Sequence, residues 1–386
     1  MNIVFLSPHF PPNYYPFSVH LRRWGANVLG IADLPYDQLR PELRAALTEY
    51  YRVDDLHNYD QLLRALGYFT HRYGKIDRLD SHNEYWLETE ARLRDDFNIL
   101  GLRVHQMDRI KRKSEMKKVY QKAEIAVARG RIVRKLKDAE SLIAETGYPV
   151  VAKPDVGVGA ARTYKIQNPE ELAAFFADKP TANYFMEEFI QGQILSFDGL
   201  ADYDGKLAFY TAHAYSHGVM ETVNSNGDLY YYSYREIPAD LEEAGRRVAQ
   251  AFDVRGRFFH LEFFRTPDGG LVALEVNMRP PGGLTTDLFN YANDIDVYAA
   301  WAELMVTGSV SLTYERSYHA AYVGRKSFRQ YAHSHAEVLA RCGELLISHQ
   351  PIDGVFAPAL GNYGYVLRTT DQPTIDELAG FIQKVA

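Results

Sequence analysis

The sequence predicts an α/β protein in which a parallel sheet with helices on both faces comes first and an α+β region follows. Short apolar runs at 2–6, 26–31 and 76–80 alternate with helical patterns at 18–24 and 60–73. Such alternation is typical of a parallel sheet covered by helices. Beyond these runs, strand pairs joined by glycine-containing turns are mixed with helical segments, which indicates an α+β architecture.

Length and composition bound the class of protein. The chain has 386 residues, 46% of them hydrophobic and 24% charged, which fits two or three globular domains. Its net charge of −7 argues against nucleic acid as the main partner. Cys342 is the only cysteine, so an internal disulfide is impossible and a reducing compartment is favoured. We read neither a signal peptide nor a membrane-spanning run, and we expect a cytoplasmic protein without a membrane partner.

The segment Ser-His-Asn-Glu at 81–84 follows the apolar run 76–80. Ligands of parallel sheets gather at the carboxyl ends of the strands, so Glu84 is a candidate for holding a small substrate. The alternative is that Asn83 or Glu84 starts the helix predicted over 86–97, because both residue types favour the first turn of a helix.

A strongly basic run covers 109–118, RIKRKSEMKK, after a predicted linker at 101–110. It leads into a helix that we expect to end near Ala126, and a strand at 131–136 and a helix at 138–146 follow. Basic runs are usually solvated helix faces. The alternative is that one of these lysines binds an anionic ligand.

A glycine-rich segment lies between two predicted strands. The first strand, YPVVAKP at 148–154, ends near Lys153, and DVGVGAAR at 155–162 follows it. Small residues let a backbone approach a phosphate and leave a loop free to act as a lid. Because 163–166 reads as a second strand and not as a helix, the pattern predicts a hairpin, not a dinucleotide-binding fold. The alternative is a flexible turn beside a surface lysine.

Further elements have clear local signals. Asn168 followed by proline and two glutamates predicts the start of a helix that runs to Asp178. The remaining elements that we predict are a strand at 183–190 (NYFMEEFI), a hairpin at 198–215, a helix at 239–252 and, from 311 onward, mixed strands with a helix at 336–342.

The stretch 260–283 predicts a hairpin that carries chemistry. If Asp268 and Gly269 are the two central turn residues, Glu262 and Glu275 face each other across the strands. Strand alternation then puts Asn277 and Arg279 on the same face as Glu275. The oxygens of the two glutamates and of Asn277 suit Mg²⁺. The guanidinium suits a phosphate or an anionic transition state. The alternative is a solvated face, and a different turn length would slip the register.

The histidines do not predict a metal site. Their spacing fits no metal-binding template, and we expect them on the surface or in the core. The residues concerned are His260, His319, His333, His335 and His349.

Four landmarks in order, a lysine at 113, YPVVAKP with its glycine loop, MEEFI, and LEFF followed by LEVNMRP, together resemble the ATP-grasp superfamily. The resemblance covers roughly 113–283. It implies a Rossmann-like pre-ATP-grasp domain at 1–105 and a two-lobed α+β ATP-grasp fold. The small lobe with its glycine-rich loop would span 106–186, and the large lobe with a C-terminal extension 187–386.

The resemblance also implies roles for particular residues. Lys113 and Lys153 would hold the nucleotide phosphates, Gly157 and Gly159 would lie in the phosphate-covering loop, and Glu187, Glu188 and Ile190 would contact adenine. Glu262, Glu275 and Asn277 would bind magnesium, and Arg279 would steady the transferred phosphoryl group. In one departure from the family pattern, Ile194 stands where many relatives have a ribose-binding acid. Gln193 is the candidate replacement.

The activity implied is that of an ATP-dependent ligase. With ATP and Mg²⁺ (Mn²⁺ as an alternative metal), it would join a carboxylate, such as an amino acid, to an amine or thiol through an acyl phosphate and release ADP. Arg279 and Lys153 would be catalytic, the partners would be small molecules, and a homodimer is the assembly common among similar proteins. The alternatives are a biotin-carboxylase-like enzyme and a nucleotide-binding module without turnover. For the carboxylase, 318–325 resembles the substrate-arginine strand. In either enzyme, Arg325 or Arg329 would bind a substrate carboxylate, and the alternative for both arginines is a surface salt bridge.

Overall fold

The computed structural model describes residues 1–157, 162–179 and 182–386. Its N-terminal part is a four-stranded parallel sheet with the strand order β3-β2-β1-β4. The elements are β1 (Asn2–Leu6), α1 (Tyr15–Arg23), β2 (Asn27–Ala32), α2 (Pro41–Ala46), β3 (Glu49–Arg52), α3 (Tyr59–Tyr73), β4 (Arg78–Asp80) and α4 (Leu87–Asp96).

Helices cover both faces of this sheet, as the sequence predicts. Because side chains alternate along a strand, Val4 and Leu6 pack in the core formed with α3 and α4, whereas Ile3 and Phe5 pack on the opposite side. The strand–helix alternation therefore predicted a parallel sheet with helices on both faces correctly, and this architecture fits the Rossmann-like domain that the resemblance implies.

The second part is a four-stranded antiparallel sheet with the order β5-β8-β6-β7. Its elements and the two helices before it are α5 (Val104–Lys111), α6 (Lys113–Lys122), β5 (Gly130–Val133), α7 (Leu136–Thr146), β6 (Val150–Pro154), β7 (Tyr164–Ile166), α8 (Pro169–Asp178) and β8 (Tyr184–Glu188). The Asn168 side chain accepts the backbone N–H of Glu171 and caps α8, as the sequence predicts.

The basic segment differs from its prediction. The linker expected at 101–110 is mostly α5, and the single helix expected to reach Ala126 is divided into α5 and α6. The break lies at Arg112, whose backbone is extended and forms a bridge with Val156. A residue that forms a β-bridge cannot also continue a helix, so the tertiary contact overrides the local helical pattern.

The third part is an eight-stranded antiparallel sheet with the order β13-β12-β9-β10-β11-β14-β16-β15. It contains β9 (Gln193–Ala201), β10 (Leu207–Tyr215), α9 (Val219–Ser225), β11 (Tyr230–Ser233), α10 (Ala239–Ala251), β12 (Arg257–Arg265), β13 (Leu271–Asn277), α11 (Thr285–Asn293), α12 (Val297–Thr307), β14 (His319–Arg325), α13 (His335–Cys342), β15 (Leu346–Pro351), α14 (Ala357–Leu360), β16 (Tyr363–Thr369) and α15 (Gln372–Gln383).

One hydrophobic core joins the N-terminal sheet to the large sheet. The fully buried Trp301 of α12 contacts Phe5 of β1 and Phe17 of α1 edge to face, and Phe258 of β12 belongs to the same cluster. His82, which follows β4, packs against Trp301 and Phe258 of the same cluster, so the loop after β4 is fixed against the large sheet. None of the helices in the described ranges combines the length and apolar character that crossing a bilayer requires.

Candidate active site

The hairpin of β12 and β13 carries two facing carboxylates. Glu262 is paired with Glu275, and His260 with Asn277, so these four side chains lie on one face of the hairpin. Both glutamates are partly exposed, while Asn277 is buried. Two carboxylates and an amide oxygen are therefore presented together, as the sequence predicts.

The turn of this hairpin was predicted wrongly. Its loop has three residues, 267–269, because the N–H of Thr266 donates to the carbonyl of Gly270 at 2.9 Å. Gly269 adopts φ +87°, a conformation that glycine accepts without strain.

A β-bulge restores the register that the longer loop would shift. Phe263 pairs with Ala273, but the next pair is Glu262 with Glu275, so Leu274 is an extra residue without a partner. The longer loop moves the pairing by one residue and the bulge moves it back. Both glutamates therefore still face each other.

Three lysines converge on this face. Nζ of Lys113 lies 3.4 Å from Oε1 of Glu275. Nζ of Lys153 lies 2.5 Å from Oε1 of Glu187, and Nζ of Lys117 lies 2.9 Å from Oε2 of the same carboxylate. All three lysines and Glu187 are buried. Buried ammonium groups need carboxylate partners or an anionic ligand, because isolated charges are strongly destabilised away from water.

The pKa values follow this arrangement. Burial favours the neutral acid of Glu187, but Lys153 and Lys117 outweigh it and lower the pKa of Glu187 to about 2. Burial also disfavours the ammonium of Lys153, yet Glu187 and Glu275 raise the pKa of this lysine. For Lys117 burial prevails and lowers the pKa. The cluster thus holds positive charge beside the carboxylate pair.

Lys117 was missed by the sequence analysis, which singled out Lys113 alone from the basic run. The signal was present, since residues four apart on a helix share one face, and both lysines point from α6 toward the site. Lys118, which follows directly, is exposed and pairs with Glu115 on the solvated side.

The side chains of the predicted adenine-binding residues do not all point to the same face of the sheet. Glu187 faces the lysines, whereas the next side chain along β8, Glu188, forms an ion pair with Arg129 on the other face. Ile190 follows β8 and is half-buried. Gln193 donates to the carbonyl of Tyr215 at 3.4 Å.

The glycine-rich loop is described only in part. The carbonyl of Gly157 lies 3.5 Å from Nζ of Lys113, so the start of the loop is beside the lysine cluster. Gly159 lies outside the described residues.

Behind Glu262 lies a buried His–Asp–His chain that the sequence did not reveal. Nε2 of His260 is 3.1 Å from Oε1 of Glu262, and Nδ1 of His260 is 2.5 Å from Oδ1 of Asp198. The other oxygen of Asp198 lies 2.7 Å from Nδ1 of His213. Burial lowers the pKa of His260, but Asp198 and Glu262 raise it to about 9. Glu262 therefore has a cationic partner that fixes its orientation.

Arg279 lies just beyond β13, and its Nη1 donates to the carbonyl of Pro280 at 2.8 Å. Burial raises the pKa of Glu262, but His260 and then Arg279 lower it, which places the guanidinium near the hairpin carboxylates. Tyr14 of the N-terminal part donates to the carbonyl of Pro281 at 2.8 Å and so fixes the segment after Arg279.

The donor set fits Mg²⁺ held together with a nucleotide. Within 1–157, 162–179 and 182–386, no cluster of three or more histidine, cysteine, aspartate or glutamate side chains is arranged to hold a metal alone. Two carboxylates and an amide leave coordination positions for phosphate oxygens and water, which is the usual way in which Mg²⁺ is bound.

Other candidate residues are engaged elsewhere. Asn83 caps the turn at Glu84–Trp86, and Glu84 is buried, where it accepts the backbone N–H of Met278. The helix-start interpretation of this segment thus accounts for Asn83, while Glu84 binds protein. Arg325 is buried and donates to the carbonyl of Ile382.

Several other side chains that the sequence analysis considered have partners within the protein. Arg329 pairs with Asp228, His319 contacts the carbonyl of Ser233, His335 contacts Tyr365, His349 contacts Tyr363, and His333 stacks on Phe381.

Comparisons with known proteins agree with this architecture. The ATP-grasp domain family matches residues 146–287. The L-arginine-specific L-amino acid ligase of Bacillus subtilis is 24% identical over 272 residues, which cover 68% of this chain and 65% of that protein. The chain therefore spans slightly less than two thirds of this relative's length.

Solved structures show the same fold at low sequence identity. The L-amino acid ligase from Bacillus licheniformis superposes with a TM-score of 0.75 at 14% identity and covers 98% of this chain and 95% of its own. The biotin carboxylase domain of Hydrogenobacter thermophilus 2-oxoglutarate carboxylase, solved with MgADP and bicarbonate, gives a TM-score of 0.70 at 16% identity. Its alignment covers 96% of this chain and 86% of that one.

Proposed function

We propose that the chain, whose residues 146–287 match the ATP-grasp domain family, is an ATP-dependent ligase that joins an amino acid or related small acid to an amine through an acyl phosphate. One observation carries the proposal. Lys113 contacts Glu275 of the hairpin, while Lys117 and Lys153 share Glu187 and lie close enough for the charge of Glu275 to act on both. Concentrated positive charge beside paired carboxylates suits a nucleotide triphosphate bound with Mg²⁺.

We assign the binding roles as follows. Glu262, Glu275 and Asn277 would hold Mg²⁺, which would neutralise negative charge on the nucleotide phosphates. The three lysines would bind phosphate oxygens in place of Glu187 and Glu275, the carboxylates that hold them in this structure. Glu187 keeps Lys117 and Lys153 close together before the nucleotide binds.

The proposed reaction needs no protein nucleophile. An oxygen of the substrate carboxylate attacks the terminal phosphorus of ATP, the bond to the ADP oxygen breaks, and an acyl phosphate forms. The amine then attacks the carbonyl carbon, the bond to the phosphate oxygen breaks, and the amine loses a proton. Arg279 would stabilise the charge on the transferred phosphoryl group, and binding would supply the alignment.

A groove of about 350 Å³ lies between the N-terminal part and the large sheet, and Gly283 and Leu284 form part of its wall. Its lining includes Asn13, Arg40 and Asp287, polar side chains that suit the charged groups of an amino acid. Substrates of this class would also agree with the similarity to an L-arginine-specific L-amino acid ligase.

The deciding experiment is an ADP-release screen over pairs of amino acids with Mg·ATP. We expect ADP and phosphate only when an acid and an amine are both present, with a new amide detected by mass spectrometry. Release of AMP would contradict the acyl-phosphate route. ADP release that requires bicarbonate and free biotin would replace the proposal with the carboxylase alternative, and nucleotide binding without any turnover would favour a non-catalytic module.

A further inference from the structure

The end of strand β13 is held by two charged side chains. The backbone pairing with β12 ends at His260 and Asn277. Beyond it, the N–H of Met278 donates to Oε2 of Glu84 at 3.2 Å, and the carbonyl of Met278 accepts Nε–H of Arg257 at 2.9 Å. Both backbone polar groups of this fully buried residue are thus satisfied by side chains instead of by a neighbouring strand.

Glu84 reaches this position from the N-terminal part of the chain. It follows β4 in a short 3-10 turn and is 5% exposed. Lys111 donates to its carbonyl at 2.8 Å and lies 3.7 Å from its carboxylate. A hydrogen bond between a buried carboxylate and a backbone N–H is stronger than one between neutral groups, so the contact ties β13 firmly to the first domain.

The two residues lie in a network of buried charged side chains that act on one another. Arg94 contacts the carboxylate of Glu90 at 2.7 Å and that of Asp80 at 3.8 Å. The charges of Asp80, Glu84 and Glu90 also act on the buried Arg257, and Lys111 lies beside Glu84. This network resists displacement, because it is costly to move a buried charge away from its compensating neighbours.

We propose that Glu84 and Arg257 are positioning residues that aim Asn277 and Arg279 at the reacting groups. The two hydrogen bonds hold the peptide groups on either side of Met278 and so fix its backbone angles. Those angles set the directions of the two neighbouring side chains, which are Asn277, the proposed metal ligand, and Arg279, the proposed phosphoryl-stabilising group. The inference rests on the proposed function, and it explains why a carboxylate of the first domain is buried against a strand end of the third.

The test compares three variants of the full-length chain. Glu84→Met keeps the volume but cannot accept the N–H, Glu84→Gln keeps an acceptor oxygen, and Glu90→Met removes a carboxylate of the same network that does not touch Met278. ATP binding is titrated calorimetrically with and without Mg²⁺. For Glu84→Met we expect the Mg²⁺ concentration for half-maximal binding to rise about 10-fold and kcat to fall about 10- to 100-fold, with metal-free ATP affinity unchanged.

We expect Glu84→Gln to restore both values to near those of the parent protein and Glu90→Met to affect stability alone. Parent-like Mg²⁺ dependence in Glu84→Met, or equal losses in Glu90→Met, would overturn the inference. If Glu84→Met does not fold, Arg257→Met, which frees the Met278 carbonyl, is measured for the same change. Should the parent protein bind Mg·ATP without ligating any substrate, the proposed function fails, but the Mg²⁺ titration still decides the positioning role.

Discussion

Lys153 of β6 and Glu187 of β8 form a buried ion pair in the four-stranded antiparallel sheet, with 2.5 Å between Nζ and Oε1. Glu187 also holds Lys117, so a single carboxylate organises two cations. The arrangement couples stability to the binding site, because whatever removes the charge of Glu187 leaves two buried lysines without their main partner.

We predict acid sensitivity from Glu187. Its pKa is lowered from 4.5 to about 2, so its stabilising contribution is complete above pH 4.5 and is lost as the pH falls toward 2. The full loss would be on the order of 3 kcal/mol. Urea unfolding between pH 6 and pH 2.5 measures it.

The Glu187→Gln variant is the matched comparison for that measurement. It should be less stable than the parent at pH 6 and should show a shallower decline in acid. An identical decline in both proteins would assign the acid sensitivity to other groups.

Replacing Lys117 with Met should weaken ATP binding about 10-fold or more, because the phosphates lose a buried, directed positive charge. Lys118→Met is the matched control, since Lys118 is exposed and pairs with Glu115 on the solvated side of the helix. Fluorescence titration with a nucleotide analogue measures both affinities. Equal affinities for the two variants would exclude Lys117 from the nucleotide site.

The Arg279→Ala variant should lose about 100- to 1,000-fold in kcat and keep nearly all of its ATP affinity, because in the proposed reaction the guanidinium would stabilise charge that develops during phosphoryl transfer. Arg265→Ala removes an arginine of the same hairpin that pairs with Asp240 at the surface, and it should be close to the parent. Steady-state ADP release with a substrate pair from the screen, measured as a function of ATP concentration, gives kcat and the KM for ATP of each variant. Unchanged kcat in Arg279→Ala would contradict its role.

Most of the fold was predictable because its signals are local. Alternating runs identified the parallel sheet, and Asn168 with its following proline marked the start of α8. The helices α11 and α12 had no such prediction, although Trp301 of α12 is central to the shared core. For α12, burial on several sides removes the amphipathic period that a sequence pattern relies on.

The site was predictable where chemistry and strand period agree, and less so where tertiary structure decides. The facing of Glu262 and Glu275 was predicted from a two-residue turn, but it arises from a longer turn and a bulge at Leu274. A bulge leaves no distinctive local signal. The contact of Glu84 with Met278 joins residues 194 positions apart, which no local pattern can indicate.

A second pH effect should come from His82, which is buried among aromatic rings and lies 4.4 Å from the Trp301 ring, centroid to centroid. Burial lowers its pKa from 6.5 to about 4. Between pH 6.5 and pH 4, His82 is therefore protonated in the unfolded chain but neutral in the folded protein. The free energy of unfolding falls across this range, by about 3 kcal/mol in total.

His82→Asn isolates this effect. His82 has φ +55°, a conformation that asparagine tolerates better than most side chains, so the variant should fold, with lower stability at pH 7.5 from lost aromatic contacts. Its free energy of unfolding should decline less between pH 6.5 and pH 4.5 than that of the parent. Other histidines with lowered pKa values, such as His9 and His20, leave a smaller decline in both proteins. An equally steep decline in His82→Asn would contradict the role of His82.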